Sequence, residues 1–489
     1  MKKRILLSTL IGAVLVSAVS ITLIILHFQG DLDDPLTTAN FDLLLQQTTE
    51  EPSSSFGQTD TTDHSIGNYL NTTESQTTQT TVPPTTAPLP TGRQFCVISS
   101  PFADTWSGLA SDDTFTPMCT TLVQGTIDYI TGQSRVFDEE ENEWRDFYLL
   151  ASGRKVQTDA VQLLDPSANY GDNNVQVVSS GTDNGNLIIR LKCAWNAPYS
   201  FEFSGQNYYE KNGKHYHVTA FTADKIQFTF YHTTAAEGAV NIGADSVVAN
   251  AYWTVNQQNK TASLTMPLRV VGQYYGYTMQ RDADGTLVLT IKKKPNGIAG
   301  AHVMLDPGHG GRDPGALGFS GAVPEAAVNF ALAVATKQAL ERRGAIVYIT
   351  RTDDVYLSLE ERKQIARQTN PDVFISIHCN AAENKSRYGT STYYFRPLSQ
   401  PLAQSVYQQL LAVYQNVLYA GDAERRARVG ENANFHPFSV TRLEECPSIL
   451  IETGYVTNDR ECTLLLSADN RAKLGEAIAA GIEAYLSVK

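Results

Sequence analysis

Four short apolar runs, each stopping abruptly at polar residues, set the pattern of the C-terminal third of this chain. Val303-Met304-Leu305 ends at Asp306-Pro307-Gly308-His309-Gly310-Gly311, and Ile346-Val347-Tyr348-Ile349 ends at Thr350-Arg351-Thr352-Asp353-Asp354. Val373-Phe374-Ile375-Ser376-Ile377 ends at His378-Cys379-Asn380, and Ser448-Ile449-Leu450-Ile451 at Glu452-Thr453-Gly454. Unbroken apolar runs of this length suit strands buried on both faces, as in a parallel sheet covered by helices. Between the first two, Val328, Leu332, Ala335 and Ala339 fall on one helical stripe, closed by Arg342-Arg343-Gly344, a basic last turn and a glycine stop. The alternation predicts an α/β domain over residues 300–489 with a mostly parallel, helix-covered sheet. In open parallel sheets the ligand crevice lies beyond the carboxyl ends of the strands. His309, Arg351, His378 and Glu452 all fall there.

Upstream the pattern changes. Residues 93–295 are rich in aromatics and turns, with alternation suited to strands and no long helical period, so one or two all-β modules are expected. Met118–Ile130 and Asp146–Leu164 read as strands of a small unit over 93–168, with Ser152-Gly153-Arg154 as a tight turn. Asn186–Ala194, Tyr216–Phe221, Ile226–Tyr231, Thr261–Val271 and Thr286–Lys292 read as strands of a β-sandwich over 169–295. Residues 31–92 are rich in Thr, Ser, Gln and Pro, show no sustained apolar period, and are expected to be a disordered linker. At the start, the basic flank 1–4 precedes an uncharged, mostly apolar stretch from Ile5 to Leu26. That length suits a transmembrane anchor over 5–27 with the basic end in the cytoplasm. Cleavage as a signal peptide near Ala18-Val19-Ser20 is the alternative, giving a secreted protein. Either way the remainder is expected outside the cytoplasm.

Charge refines this picture. The formal net charge is −13, and the 31–92 segment holds nine acids with no Lys or Arg. The acidity therefore belongs mainly to the linker. No basic patch stands out, which argues against nucleic acid as a partner. Six cysteines in 489 residues do not make a disulfide scaffold. Cys379 follows His378 on the same strand, points to the opposite face, and reads as core. His215 and His217 share a strand face but read as surface residues. Trp106, Trp195 and Tyr209 are of the kind that stack on sugar rings, but large aromatics are more often core.

Two histidines and carboxylates at one crevice suit a catalytic zinc centre, which needs about three protein ligands and one open position. His309 and His378 supply two nitrogens. The third ligand is Glu325, at the start of the first helix, or Glu452; the other carboxylate is then placed to take a proton from water. Spacing does not decide between them. Asp306 and Asp313 read as acceptors that fix the loop, with Arg351 as a candidate partner.

The blocks Asp306 to Gly311, Gly321 to Glu325 with Asn329, Ser376 to Asn380, and Pro447 to Tyr455 through Asn458 resemble the zinc-dependent N-acetylmuramoyl-L-alanine amidases of bacterial cell walls. The resemblance covers about residues 300–489. It implies that His309, Glu325 and His378 bind one Zn2+ and that Glu452 is the catalytic glutamate. The implied reaction is hydrolysis of the amide between muramic acid and L-alanine in peptidoglycan. Ala326 departs from the family, which usually has lysine there. Some members carry a long helix that plugs the site after the second histidine block, but Ala381 to Tyr388 is too short for one. The β modules faintly resemble SH3-like and wall-localisation modules. Two rival functions remain: another zinc-dependent peptidoglycan hydrolase (a stem-peptide peptidase or deacetylase), or a non-catalytic wall-binding protein.

Overall fold

The computed structural model describes residues 94–488 apart from 108–117, 139–142, 204–207, 212–213, 218–222, 319–320, 322 and 431. The expected cytoplasmic flank, anchor and linker lie outside the described residues. In the α/β region, β1 (His302–Pro307), β2 (Ile346–Ile349), β3 (Val373–Asn380) and β6 (Ser448–Tyr455) are the four apolar runs. Two further strands, β4 (Ser391–Tyr394) and β5 (Ala433–Phe435), complete a six-stranded sheet in the order β2-β1-β3-β6-β4-β5. The four apolar strands pair in parallel, whereas β4 runs antiparallel to β6 with β5 parallel to it.

Alternate residues of the strands feed two different cores, which is why the runs are apolar throughout. Val303, Leu305, Ile375, Ile377, Ile449 and Ile451 join one cluster with Leu332, Val406 and Ile478. Those three come from α1 (Glu325–Glu341), α3 (Gln400–Val413) and α6 (Ala468–Ser487), the last preceded by the short helices α4 (Ala423–Arg428) and α5 (Asp459–Leu466). Met304, Phe374 and Leu450 join a second cluster with Ala366 of α2 (Leu359–Thr369), Val440 and Leu443. Helix α2 starts at a capping box in which Ser358 and Glu361 satisfy each other's backbone N–H, and it stops at Asn370 in the left-handed conformation, φ 54°.

Among the described residues, the β region contains three larger sheets and one two-stranded ribbon. A seven-stranded antiparallel sheet spans strands from Gln94–Ile98 to Val161–Leu163. A five-stranded sheet runs from Asn173–Asp183 to Leu287–Ile291, and a four-stranded sheet is formed by Tyr199–Phe203, Lys225–Phe230, Tyr252–Asn256 and Thr261–Pro267. Gly153 takes φ 81° in the predicted tight turn, closed by its N–H to the Leu150 carbonyl at 2.9 Å.

The expected fold class needs correction in three respects. The α/β sheet is mixed, because β4 and β5 reverse direction at one edge. The β region is mostly antiparallel sheets that share one core. Ile98 and Leu122 of the seven-stranded sheet, Ile189 and Leu289 of the five-stranded sheet, and Phe228 and Leu264 of the four-stranded sheet form a single cluster. No helix among the described residues is long and apolar enough to cross a membrane, so the described fold contains no transmembrane helix.

Candidate metal centre

The end of β1 has to turn at once to present a side chain above the sheet, and the loop sequence makes that turn. Gly308 accommodates a close approach: a Cβ there would lie 2.1 Å from the His378 ring. His309 itself sits at φ 60°, a left-handed conformation that a non-glycine residue keeps only when its surroundings hold it. Several contacts hold this one. Arg362 Nη2 donates to the His309 carbonyl at 2.9 Å, Gly310 and Asp313 exchange backbone hydrogen bonds, and Asp313 Oδ2 meets His309 Nδ1 at 2.7 Å. Fixing Nδ1 in this way turns Nε2 toward Glu325, whose Oε1 lies 3.4 Å away.

Glu325 opens α1, where the positive end of the helix dipole favours a carboxylate. Proline precedes it and no side chain caps the helix; loop carbonyls of Ala316 and Pro314 accept from the N–H groups of Glu325 and Ala326 instead. The Glu325 carboxylate receives the backbone N–H of Cys379 at 3.1 Å, that of Ala316 at 3.0 Å and the Asn329 side chain at 3.2 Å. His378, near the end of β3, brings Nδ1 to 3.2 Å from Glu325 Oε1. One donor atom from each of His309, Glu325 and His378 falls within 4.8 Å of the others, making this a group able to hold a metal ion. The Glu325 side chain is only 6% exposed, while His309 and His378 keep 27% and 17%. The cluster is therefore closed on the carboxylate side and accessible on the imidazole side.

Electrostatics follow from this packing. Burial opposes charge on His309, yet the Glu325 and Asp313 carboxylates push its pKa up to about 10. Burial likewise opposes charge on Glu325, but the two histidines hold it well below the usual carboxylate range. Burial lowers His378, and its bond to Glu325 only partly offsets that. Burial raises the Cys379 thiol well above its ordinary value, and Cys379 Sγ lies 3.2 Å from Thr453 Oγ1.

Glu452 is fully buried on β6, with its Cα paired to that of His378 on the neighbouring strand. It is not one of the three metal-capable residues. Asp313 orients His309 and also receives the Gly315 N–H at 3.1 Å. Asp306 is fully buried and accepts from Thr350, Ser376 and Arg362 at 2.6, 2.8 and 2.7 Å. Arg351 does different work from that expected: it donates to the carbonyls of Pro307, Gly308, Ala326 and Asp353. The sequence reading missed Arg362, which sits in a highly polar helix and gives no local sign of burial, and the Cys379 backbone N–H. Where the family has lysine, Ala326 is buried and its carbonyl accepts from Arg351. Residues 381–390 contain turns and no helix. Trp106 packs edge-on against Phe147, and Trp195 stacks on His232 and donates to the Gly171 carbonyl. The side chains of Tyr209, His215 and His217 lie outside the described ones.

A family model described as N-acetylmuramoyl-L-alanine amidase matches residues 303–484. The chain is 32% identical over 190 residues to the N-acetylmuramoyl-L-alanine amidase LytC of Bacillus subtilis, covering 39% of this chain and 36% of that protein. It is 32% identical over 202 residues to the probable cell wall amidase LytH of Staphylococcus aureus, covering 41% of this chain and 64% of that protein. The chain thus spans less than two thirds of these relatives' length. Among solved structures, the catalytic domain of CwlV, an N-acetylmuramoyl-L-alanine amidase from Bacillus (Paenibacillus) polymyxa, is 31% identical; the match covers 39% of this chain and 99% of that one, with a TM-score of 0.34.

Proposed function

Because residues 303–484 match the N-acetylmuramoyl-L-alanine amidase family, we propose that the chain hydrolyses the amide between muramic acid and L-alanine in peptidoglycan, outside the cytoplasm. His309, Glu325 and His378 would hold one zinc ion, and Glu452 would carry the proton. The observation that carries this reading is the three-residue donor set within 4.8 Å at the carboxyl end of the sheet. Two imidazoles and one carboxylate, with access on the imidazole side, fit a zinc centre that keeps a position for substrate or water. Bound zinc would polarise the scissile carbonyl and lower the pKa of water toward about 7.

The chain's own residues do the rest. Asp313 fixes the tautomer of His309 by occupying Nδ1, and Asn329 with the Ala316 and Cys379 N–H groups orients Glu325. Glu452 accepts a proton as water adds to the amide carbonyl carbon. It returns that proton to the nitrogen as the C–N bond breaks, leaving a free lactyl carboxylate and the amine of L-alanine. The test is chelation and reconstitution on purified wall: activity should vanish with chelator and return with zinc. Undiminished hydrolysis in metal-free protein would reject the reading.

A further inference from the structure

Helix α2 faces two places at once. Arg362 reaches the metal-centre strand, donating to Asp306 at 2.7 Å, to the Pro307 carbonyl at 2.9 Å and to the His309 carbonyl at 2.9 Å. The next residue, Lys363, and Arg367 one turn on reach the β region instead. Both pair with Asp104 on the strand Phe102–Ser107, Arg367 at 2.5 Å. Side-chain exposure is 5% for Lys363, 0% for Arg367 and 2% for Asp104. Arg367 is completed by Glu445 at 2.9 Å, Gln364 donates to the Phe102 carbonyl at 2.7 Å, and Thr121 donates to Asp104 at 3.2 Å.

Without the Asp104 charge, Lys363 would keep only the partly exposed Glu360 at 3.0 Å, and Arg367 would keep Glu445 at 2.9 Å and Glu360 at 3.6 Å. The two buried cations would lose the one carboxylate that both share on the β region, which is unfavourable. Lys363 can relieve the strain by releasing its proton, but Arg367 cannot, so the relief left to Arg367 is movement of α2 away from the β region. Arg362 would move with it, and Arg362 secures the carbonyl of a residue held in left-handed backbone.

We propose that Asp104 is a positioning residue for the amidase site: the β region seats α2, and α2 through Arg362 holds the loop that presents His309. The inference rests on the reading of His309 as a zinc ligand. The β region is thereby a built-in part of the metal centre's support and not only an appended module.

The test uses the full chain, with Zn2+ alone as probe in competition with a chromogenic chelator, on wild type, Asp104→Asn, Arg362→Gln and the double variant. Arg362→Gln should weaken zinc binding about tenfold or more, the scale for outer-shell partners of ligands, and Asp104→Asn, one contact further out, should weaken it in the same direction by a smaller factor. The double variant should be clearly less than additive, since the two residues lie on one path. In zinc-saturated protein, Asp104→Asn should lower kcat with KM little changed. Wild type that takes up no zinc would overturn the metal reading and this inference together. Wild type that binds zinc, with unchanged affinity in folded Asp104→Asn or strict additivity in the double variant, would overturn this inference alone. Should Asp104→Asn fail to fold, Asp104→Glu keeps the charge but displaces it; weaker zinc binding supports the proposal and unchanged binding rejects it.

Discussion

Two buried clusters of charge meet helix α2, and they differ in what their members can exchange. At the candidate metal centre a carboxylate is partnered by imidazoles, which give up protons readily and can turn a lone pair to a cation. At the contact with the β region, Asp104 is partnered by Lys363 and Arg367, whose charge is fixed near neutral pH. The first cluster has donors to offer an ion; the second has already satisfied its carboxylates with cations from the chain. Buried charge is thus common to both clusters, and what separates them is the identity of the partner, imidazole in one and ammonium or guanidinium in the other.

The sharpest way to break this contrast is to remove one member of the first cluster. His378→Ala or Glu325→Ala should abolish stoichiometric zinc and lower wall hydrolysis by at least about 10³-fold, since a catalytic zinc needs about three protein ligands; metal analysis and release of labelled wall fragments would measure both. Glu452→Gln should separate the roles. Zinc content should stay at the wild-type level while kcat drops roughly 10²–10⁴-fold, the usual contribution of general acid–base chemistry.

In the second cluster the effect should appear as stability. Arg367→Met leaves Asp104 and Glu445 short of a buried partner and should cost about 3–5 kcal/mol in denaturant unfolding. The pH dependence has a definite sign. Burial alone would raise the Asp104 pKa, but Arg367 and Lys363 hold it well below the usual carboxylate range. Its stabilising contribution is thus complete above the unfolded value of about 3.9 and is lost as pH falls toward the folded value. Acid unfolding of Asp104→Asn should accordingly be shallower than that of wild type below pH ~4. The smallest change is expected from Asp313→Asn, which should weaken zinc about 10–100-fold without unfolding the protein; chelator competition would read it.

How much of this was legible depended on whether the signal was local. The strand ends carrying His309, His378 and Glu452 were readable because a buried strand must be apolar and a sharp exit needs glycine or polar residues. Glu325 was readable only as one of two carboxylates; the resemblance, not spacing, assigned it to the metal. The reversed direction of Ser391–Tyr394 was not readable, since the local pattern of a short strand is the same whichever way it runs. Asp104 was beyond reach for another reason: it meets Lys363 across 259 positions, and a single aspartate in a half-polar strand carries no sign of a distant partner. Arg362 and Arg367 sit in a strongly polar stretch with no apolar stripe to announce burial, yet they are buried.

The most direct test of the central claim is mass spectrometry of purified peptidoglycan digested by zinc-loaded wild type and by Glu452→Gln. Wild type should yield glycan with free lactyl carboxylates and peptides beginning at L-alanine, and the variant almost none. New amino termini inside the stem peptide, loss of acetyl groups, or full product from Glu452→Gln would contradict it.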